Sequence, residues 1–260
     1  LPARAPILVL PLLASLGCAA LGGHGPVPKD VAMCRELSCQ GVAALEAGQW
    51  QRAEQLLAQA VEASPTDAVS RRHLAEVLWR RGDARGALLQ IEAAARLDPG
   101  DAALAVRAGE LLLETGAVER AFERAARAIS ADPQLAAAWA LRGKVNWRRH
   151  RTEQALADLQ RALHLAPQSA AALLDLATLY RERGQHQRSL TTIHHLIDHH
   201  ASSQVPPRAL LLEGLALGEL GRWTEAAELA QTIDQYKARH RRRSEERRAG
   251  KECRSRWSPY

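Results

Sequence analysis

Pro65, Pro99, Pro133 and Pro167 follow one another at intervals of 34 residues. The same step carries Ala53 to Ala87, Ala121 and Ala155, and Ala60 to Ala94, Ala128 and Ala162. Gly48, Gly82, Gly116 and Gly184 keep it too, with His150 in the slot that falls between the last two. A period of this length, held over four consecutive units, restricts the chain to a stack of like supersecondary units. One unit cannot bury its own apolar face, so neighbours must cover one another and the core becomes linear rather than globular.

Each unit reads as two amphipathic helices around a turn, with the stretch 136–169, AAAWALRGKVNWRRHRTEQALADLQRALHLAPQS, as the reference. The glycine after each first helix suits a left-handed C-cap. The proline stops the second helix, and Asp67, Asp101 and Ser169 stand where an N-cap of the next first helix is needed. Inside the first helices a small residue recurs at Gly41, Ala75, Gly109, Gly143, Ala177 and Gly214. A helical glycine costs about 1 kcal/mol relative to alanine, so its recurrence predicts a close approach to the alanine row of the second helix.

The repeat resembles the tetratricopeptide repeat. Trp139, Gly143, Ala155, Leu159, Ala162 and Pro167 stand where that family has a large apolar, a small, a small, a large apolar, a small residue and a proline. Units are read at 34–67, 68–101, 102–135, 136–169 and 170–203. A sixth, at 207–240, follows an insertion containing Pro206 and Pro207. Ser189 replaces the small alanine and Ala201 the proline, so the connection 200–207 departs from the pattern. The resemblance implies an all-α, right-handed α-solenoid of about six helix-turn-helix repeats whose first helices line a concave groove.

Charge excludes one partner class. The formal net charge is +6, and half of it lies in 243–260, a stretch of six basic against three acidic residues. That stretch, RSEERRAGKECRSRWSPY, resembles the translated read-through of a sequencing adapter and is set aside as a non-native tail; the competing reading is a basic tail for nucleic acid or lipid head groups. Without it the chain is mildly basic, and nucleic-acid binding is not expected.

At the other end Arg4 precedes an apolar run, Ile7 to Leu16, too short to span a bilayer and interrupted by Pro11. It reads as a secretory leader. The sequence Leu16-Gly17-Cys18-Ala19 is similar to a bacterial lipoprotein signal, which implies lipidation at Cys18 and an outer-membrane anchor facing the periplasm. Residues 1–18 are then the leader, and 19–33 a Gly/Pro-rich tether. The alternatives are a cytoplasmic adaptor starting at Met33, or the repeat arm of a larger truncated enzyme. Cys34 and Cys39, five residues apart, are either small apolar residues of the first repeat or, in an oxidising compartment, a disulfide.

No catalytic set stands out: GxSxG, a phosphate-cradling glycine loop and HExxH are all missing from the sequence. No enzyme activity and no cofactor are expected. His195 and His199, four apart on one helix beside His194 and His200, are weak metal candidates against a polar outer surface. The better candidate is the groove. Arg72, Glu76 and Trp79 form one helical stripe, and Lys144 and Trp147 repeat its last two places. With Arg80, Arg148 and Arg181 they make a basic, partly apolar surface of the kind found at protein interfaces. Whether Trp79 and Trp147 line the groove or pack as core stays open. The Lys/Asn carboxylate clamp of the chaperone-binding members is missing, since Ser38 and Val42, or Arg72 and Glu76, hold the matching places. The expected role is a non-catalytic scaffold in the bacterial envelope that holds an extended or helical segment of a partner protein. Fold-level analogy extends it to assembly of a pilus, secretin or peptidoglycan complex.

Overall fold

The computed structural model describes residues 29–199, 205–231 and 233–234. The leader, Cys18, His200, Ala201 and the stretch 243–260 lie outside them. The described residues contain α1 (Lys29–Glu46), α2 (Trp50–Ala63), α3 (Ala68–Arg80), α4 (Ala84–Leu97), α5 (Ala102–Glu114), α6 (Val118–Ala131), α7 (Ala136–Arg148), α8 (Thr152–Leu165), α9 (Ala170–Glu182), α10 (His186–Asp198) and α11 (Pro207–Glu219). Residues 223–231 are helical again, and there is no strand among the described residues. The predicted all-α solenoid is what is observed. Odd-numbered helices are the first helices of the repeats. α1 begins at Lys29, ahead of residue 34 where the period places the first unit.

The turns explain the period. Gly48, Gly82, Gly116 and Gly184 have φ of +72°, +88°, +81° and +71°, and Gly221 and His150 follow at +74° and +58°. Such backbone suits glycine, and a histidine there is uncommon. In each turn the next residue donates its N–H to the carbonyl five positions back: Gln49 to Ala44, Asp83 to Leu78, Ala117 to Leu112, Arg151 to Asn146, Gln185 to Tyr180 and Arg222 to Leu217. That bond closes the first helix and fixes the angle at which the second departs. The expected N-caps are formed: Asp67, Asp101 and Ser169 accept from the amides of Ser70, Leu104 and Ala172. Asp83 also caps α4, accepting from Gly86 N.

The alanine rows are the core. Ala53, Ala87, Ala121 and Ala155 are fully buried, and so are Ala60, Ala94 and Ala128. Where the row breaks, the hydroxyl of Ser189 is also fully buried and donates to Ala177 O at 2.8 Å, which satisfies it. The first-helix glycines are tight as expected, but mostly against leucine rather than alanine. A Cβ at Gly41 would lie 2.6 Å from Leu57 Cγ, and one at Gly143 would lie 2.9 Å from Leu159 Cγ and 3.3 Å from Ala155 O. At Gly109 the obstacle is Leu141 Cδ2 of the next first helix, at 2.5 Å. Gly214 differs from the expectation: its nearest neighbour is Leu229 Cδ2 at 3.7 Å, ordinary contact. Cys34 and Cys39 are both free thiols. Cys34 is buried with its Sγ 3.5 Å from Ser70 Oγ, while Cys39 is exposed on another face of α1.

Candidate functional site

Successive first helices touch, α1 with α3, α5 with α7, α7 with α9 and α9 with α11, while the second helices pack between first helices. The first helices are therefore on the inner side of the stack, and their outward residues form the candidate surface. Ala103, Ala137 and Ala171, second in their helices, are exposed there.

Half of the six predicted charges on this face, Glu76, Lys144 and Arg181, are engaged between repeats. Glu76 on α3 accepts from Arg107 of α5 at 2.6 Å and from Arg80 at 2.9 Å, and Arg107 donates onward to Glu110 at 2.9 Å. Burial pushes the Glu76 carboxyl up, but the hydrogen bonds from Arg80 and Arg107 outweigh it and hold the group below the ordinary carboxylate range. Its stabilising contribution is therefore present above the unfolded pKa and is lost as pH falls through the depressed folded value. Lys144 Nζ on α7 lies 3.2 Å from Asp175 Oδ2 on α9, whose other oxygen faces Arg208 of α11 at 3.8 Å. Arg181 donates to Glu219 of α11 at 2.9 Å, and His186 Nδ1 meets the second oxygen of Glu219 at 2.7 Å. The two tryptophans also serve the stack. Trp79 is half-buried against the core of α4 and α5. Trp147 packs on the core of α8 and α9 and donates its Nε1 to Glu182 at 2.7 Å.

Arg72 and Arg148 are different. Neither forms an ion pair among the described residues. Arg72 reaches its neighbour His73 at 3.5 Å. Burial first, and the Arg72 guanidinium second, hold the His73 ring below its usual pKa. Arg148 is exposed at the end of α7. Of the eight predicted groove residues, these two keep an uncommitted charge.

Asp175 gives a prediction. Burial pushes its carboxyl above the ordinary value, more than Lys144 and Arg208 pull it down. Removing Lys144 leaves a buried carboxylate short of a partner, whereas an amide at 175 removes the buried charge itself. Lys144→Ala is expected to cost about 2 kcal/mol at neutral pH, and Asp175→Asn less than about 1 kcal/mol. Protonation relieves the stranded group, so the Lys144→Ala penalty shrinks as pH falls toward the raised folded pKa of Asp175. Urea unfolding at two pH values checks this; a larger loss in Asp175→Asn contradicts it.

The weak metal candidates are not arranged as ligands. His195 and His199 stack at 4.4 Å between ring centroids, and His199 Nδ1 is turned to the carbonyl of His195 at 2.8 Å. His194 pairs with Glu213 of α11 at 3.0 Å. Among the described residues no cluster of three or more His, Cys, Asp or Glu could hold a metal ion.

Sequence reasoning missed the inter-repeat pairs, although they left a signal. Glu76–Arg107 and Lys144–Asp175 are opposite charges 31 residues apart, one repeat less about one helical turn. Arg149–Glu119 and Arg183–Glu153 are likewise both 30 apart. It also missed the buried cluster in which Arg142 forks onto Asp158 at 2.6 and 3.0 Å and Asn146 adds a third bond at 2.8 Å.

Two family models described as tetratricopeptide repeat match the chain, one at 44–95 and 147–211, the other at 72–136 and 106–170. A search of curated protein sequences gives no significant match. Among solved structures the chain is similar to PilF of Pseudomonas aeruginosa, with a TM-score of 0.66 and 18% identity over 80% of this chain and 94% of that one. It is similar to PilW, described as a widely conserved type IV pilus biogenesis factor, with a TM-score of 0.70 and 17% identity over 78% and 92%. MamA of Desulfovibrio magneticus RS-1 gives 0.56 and 18% over 66% and 95%. At such identities these likenesses concern the fold.

Proposed function

We propose, from the premise that the chain belongs to the tetratricopeptide-repeat family, that it is a protein-interaction scaffold with no chemistry of its own. It takes an extended or helical segment of a partner protein on the face of its first helices. The observation that carries this reading is the division of labour on that face. Glu76, Lys144, Trp147 and Arg181 are spent on holding neighbouring repeats, whereas Arg72 and Arg148 form no ion pair among the described residues. An incoming segment with carboxylates or carbonyls toward the arginines fits such a surface.

The scaffold works in the bacterial cell envelope, held by a lipid at Cys18. Two things support this: the layout of the leader, and the fold-level likeness to a pilus biogenesis factor, which is analogy. None of the helices among the described residues is long and apolar enough to cross a membrane.

The test is affinity capture from fractionated cells. The parent and a control, Arg96→Glu with Arg127→Glu on the second helices α4 and α6, are expected to recover the same partner from the membrane fraction. Arg72→Glu with Arg148→Glu should lose it at unchanged helicity, and Cys18→Ala should move the scaffold out of that fraction. Retention by the Arg72/Arg148 variant rules out the groove, and unchanged fractionation of Cys18→Ala rules out the anchor.

A further inference from the structure

A hollow of about 320 Å³ opens on the outer side of the stack between α8 and α10. Gln160 of α8, Tyr180 of α9 and Gln187, Arg188, Thr191 and Thr192 of α10 line it, and no carboxylate is among them. Arg188 forms no ion pair among the described residues. Its Cζ lies 5.7 Å from the centroid of the Tyr180 ring, and its Nη1 makes one long hydrogen bond, 3.4 Å, to Gln185 Oε1. Tyr180 is 9% exposed, and its hydroxyl accepts from Gln160 Nε2 at 3.4 Å. The threonine hydroxyls donate to their own helix, Thr191 to Gln187 O and Thr192 to Arg188 O.

Two repeats earlier the same places hold carboxylates. A shift of twice the 34-residue period sets Glu92 against Gln160, Glu119 against Gln187, Arg120 against Arg188 and Glu123 against Thr191. There Arg120 of α6 forms an ion pair with Glu92 of α4, and Glu92 also faces Arg124 at 3.8 Å. The later repeat keeps the arginine and replaces each of the three acids with a neutral hydrogen-bonding residue. A guanidinium left among amides and hydroxyls favours an added carboxylate, which accepts two parallel N–H bonds from its fork. We propose that this hollow takes a carboxylate side chain of a partner protein, seated against Arg188 as Glu92 is seated against Arg120. The hollow is on the outer, second-helix side, apart from the Arg72–Arg148 groove, and does not depend on it.

The probe is the peptide acetyl-Ala-Glu-Ala-amide, titrated into the isotope-labelled full chain. NMR follows the side-chain Nε–H of Arg188 and the backbone amide of Thr191. Saturable shifts are expected, with affinity at least tenfold lower for acetyl-Ala-Gln-Ala-amide, which keeps the shape without the charge. Arg188→Gln should lower peptide affinity at least tenfold, read at Thr191. Gln160→Glu supplies the internal carboxylate that Glu92 supplies to Arg120, so it should lower affinity equally while the chain stays folded. Arg72→Glu with Arg148→Glu should leave binding unchanged, so failure here and failure of the groove reading are distinguishable. Undiminished affinity in Gln160→Glu, equal affinity for the two peptides, or no saturable shift overturns the proposal. So does an equal response at Arg85, exposed and without an ion pair among the described residues, which reduces the effect to that of any surface arginine. Propionate binding as tightly as the peptide assigns the hollow to a small free acid and overturns the protein partner.

Discussion

Gly143→Leu is expected to destabilise the solenoid by about 2–3 kcal/mol. The alanine part of the change is a gain, because a helical glycine costs about 1 kcal/mol relative to alanine. It is outweighed by the space. The first added carbon already meets Leu159 Cγ at 2.9 Å and Ala155 O at 3.3 Å, a branch point and a backbone oxygen that cannot swing aside. The longer side chain must then separate α7 from α8, and with them the surface on which Lys144 and Arg148 sit. Urea unfolding followed by circular dichroism measures the loss, and hydrogen exchange should place it in α7 and α8 first. Stability equal to the parent would mean that the helix register described here is wrong. Gly214→Leu is the internal control, since that site has only ordinary contact and should cost much less.

Asp158→Ala is expected to be of similar size, about 3 kcal/mol, the lower end of the range for breaking a buried ion pair. Asp158 is 6% exposed and accepts three hydrogen bonds, two from Arg142 and one from Asn146. Its removal strands the buried Asn146 amide and leaves a guanidinium facing an apolar gap. Arg142 is 27% exposed in its side chain and stacks over Trp139 at 4.6 Å. It can therefore turn partly to water, which keeps the cost at the lower end. Asp158→Asn should recover part of the loss, since its amide oxygen can keep the two bonds from Arg142 Nε and Asn146 Nδ2 while its NH2 group is left facing the Arg142 Nη2 donor. Thermal and urea unfolding of both variants check this. A loss under about 1 kcal/mol in Asp158→Ala would show that the cluster adds little beyond an ordinary surface pair.

The period made the fold legible because each repeated residue type has one physical job. Glycine at 48, 82, 116 and 184 serves a left-handed turn, alanine serves the narrow gap between helices, and aspartate at 67 and 101 caps a helix start. His150 was readable as the exception, and it does adopt positive φ. The site was legible only in part. The helical stripe of Arg72, Glu76 and Trp79 is real, but its residues diverge in role: Glu76 turns to Arg107 of the next repeat while Arg72 keeps its charge. Spacing within one helix cannot show this, because the partner sits on another repeat at a distance set by how the repeats stack. The question of Trp147 was open for the same reason. Its Nε1 is taken by Glu182, 35 residues on, and its ring rests half-buried on the core of α8 and α9.

The proposed partner surface is the first-helix face. The most direct measurement places a photo-crosslinking amino acid at Ala137 on α7 or at Glu123 on α6, both exposed positions on the full chain. Crosslinking is carried out in the cell and the adducts are read by mass spectrometry. A discrete protein adduct is expected from position 137 and none from 123. An adduct from 123 with none from 137 would place the partner on the outer, second-helix face and contradict it.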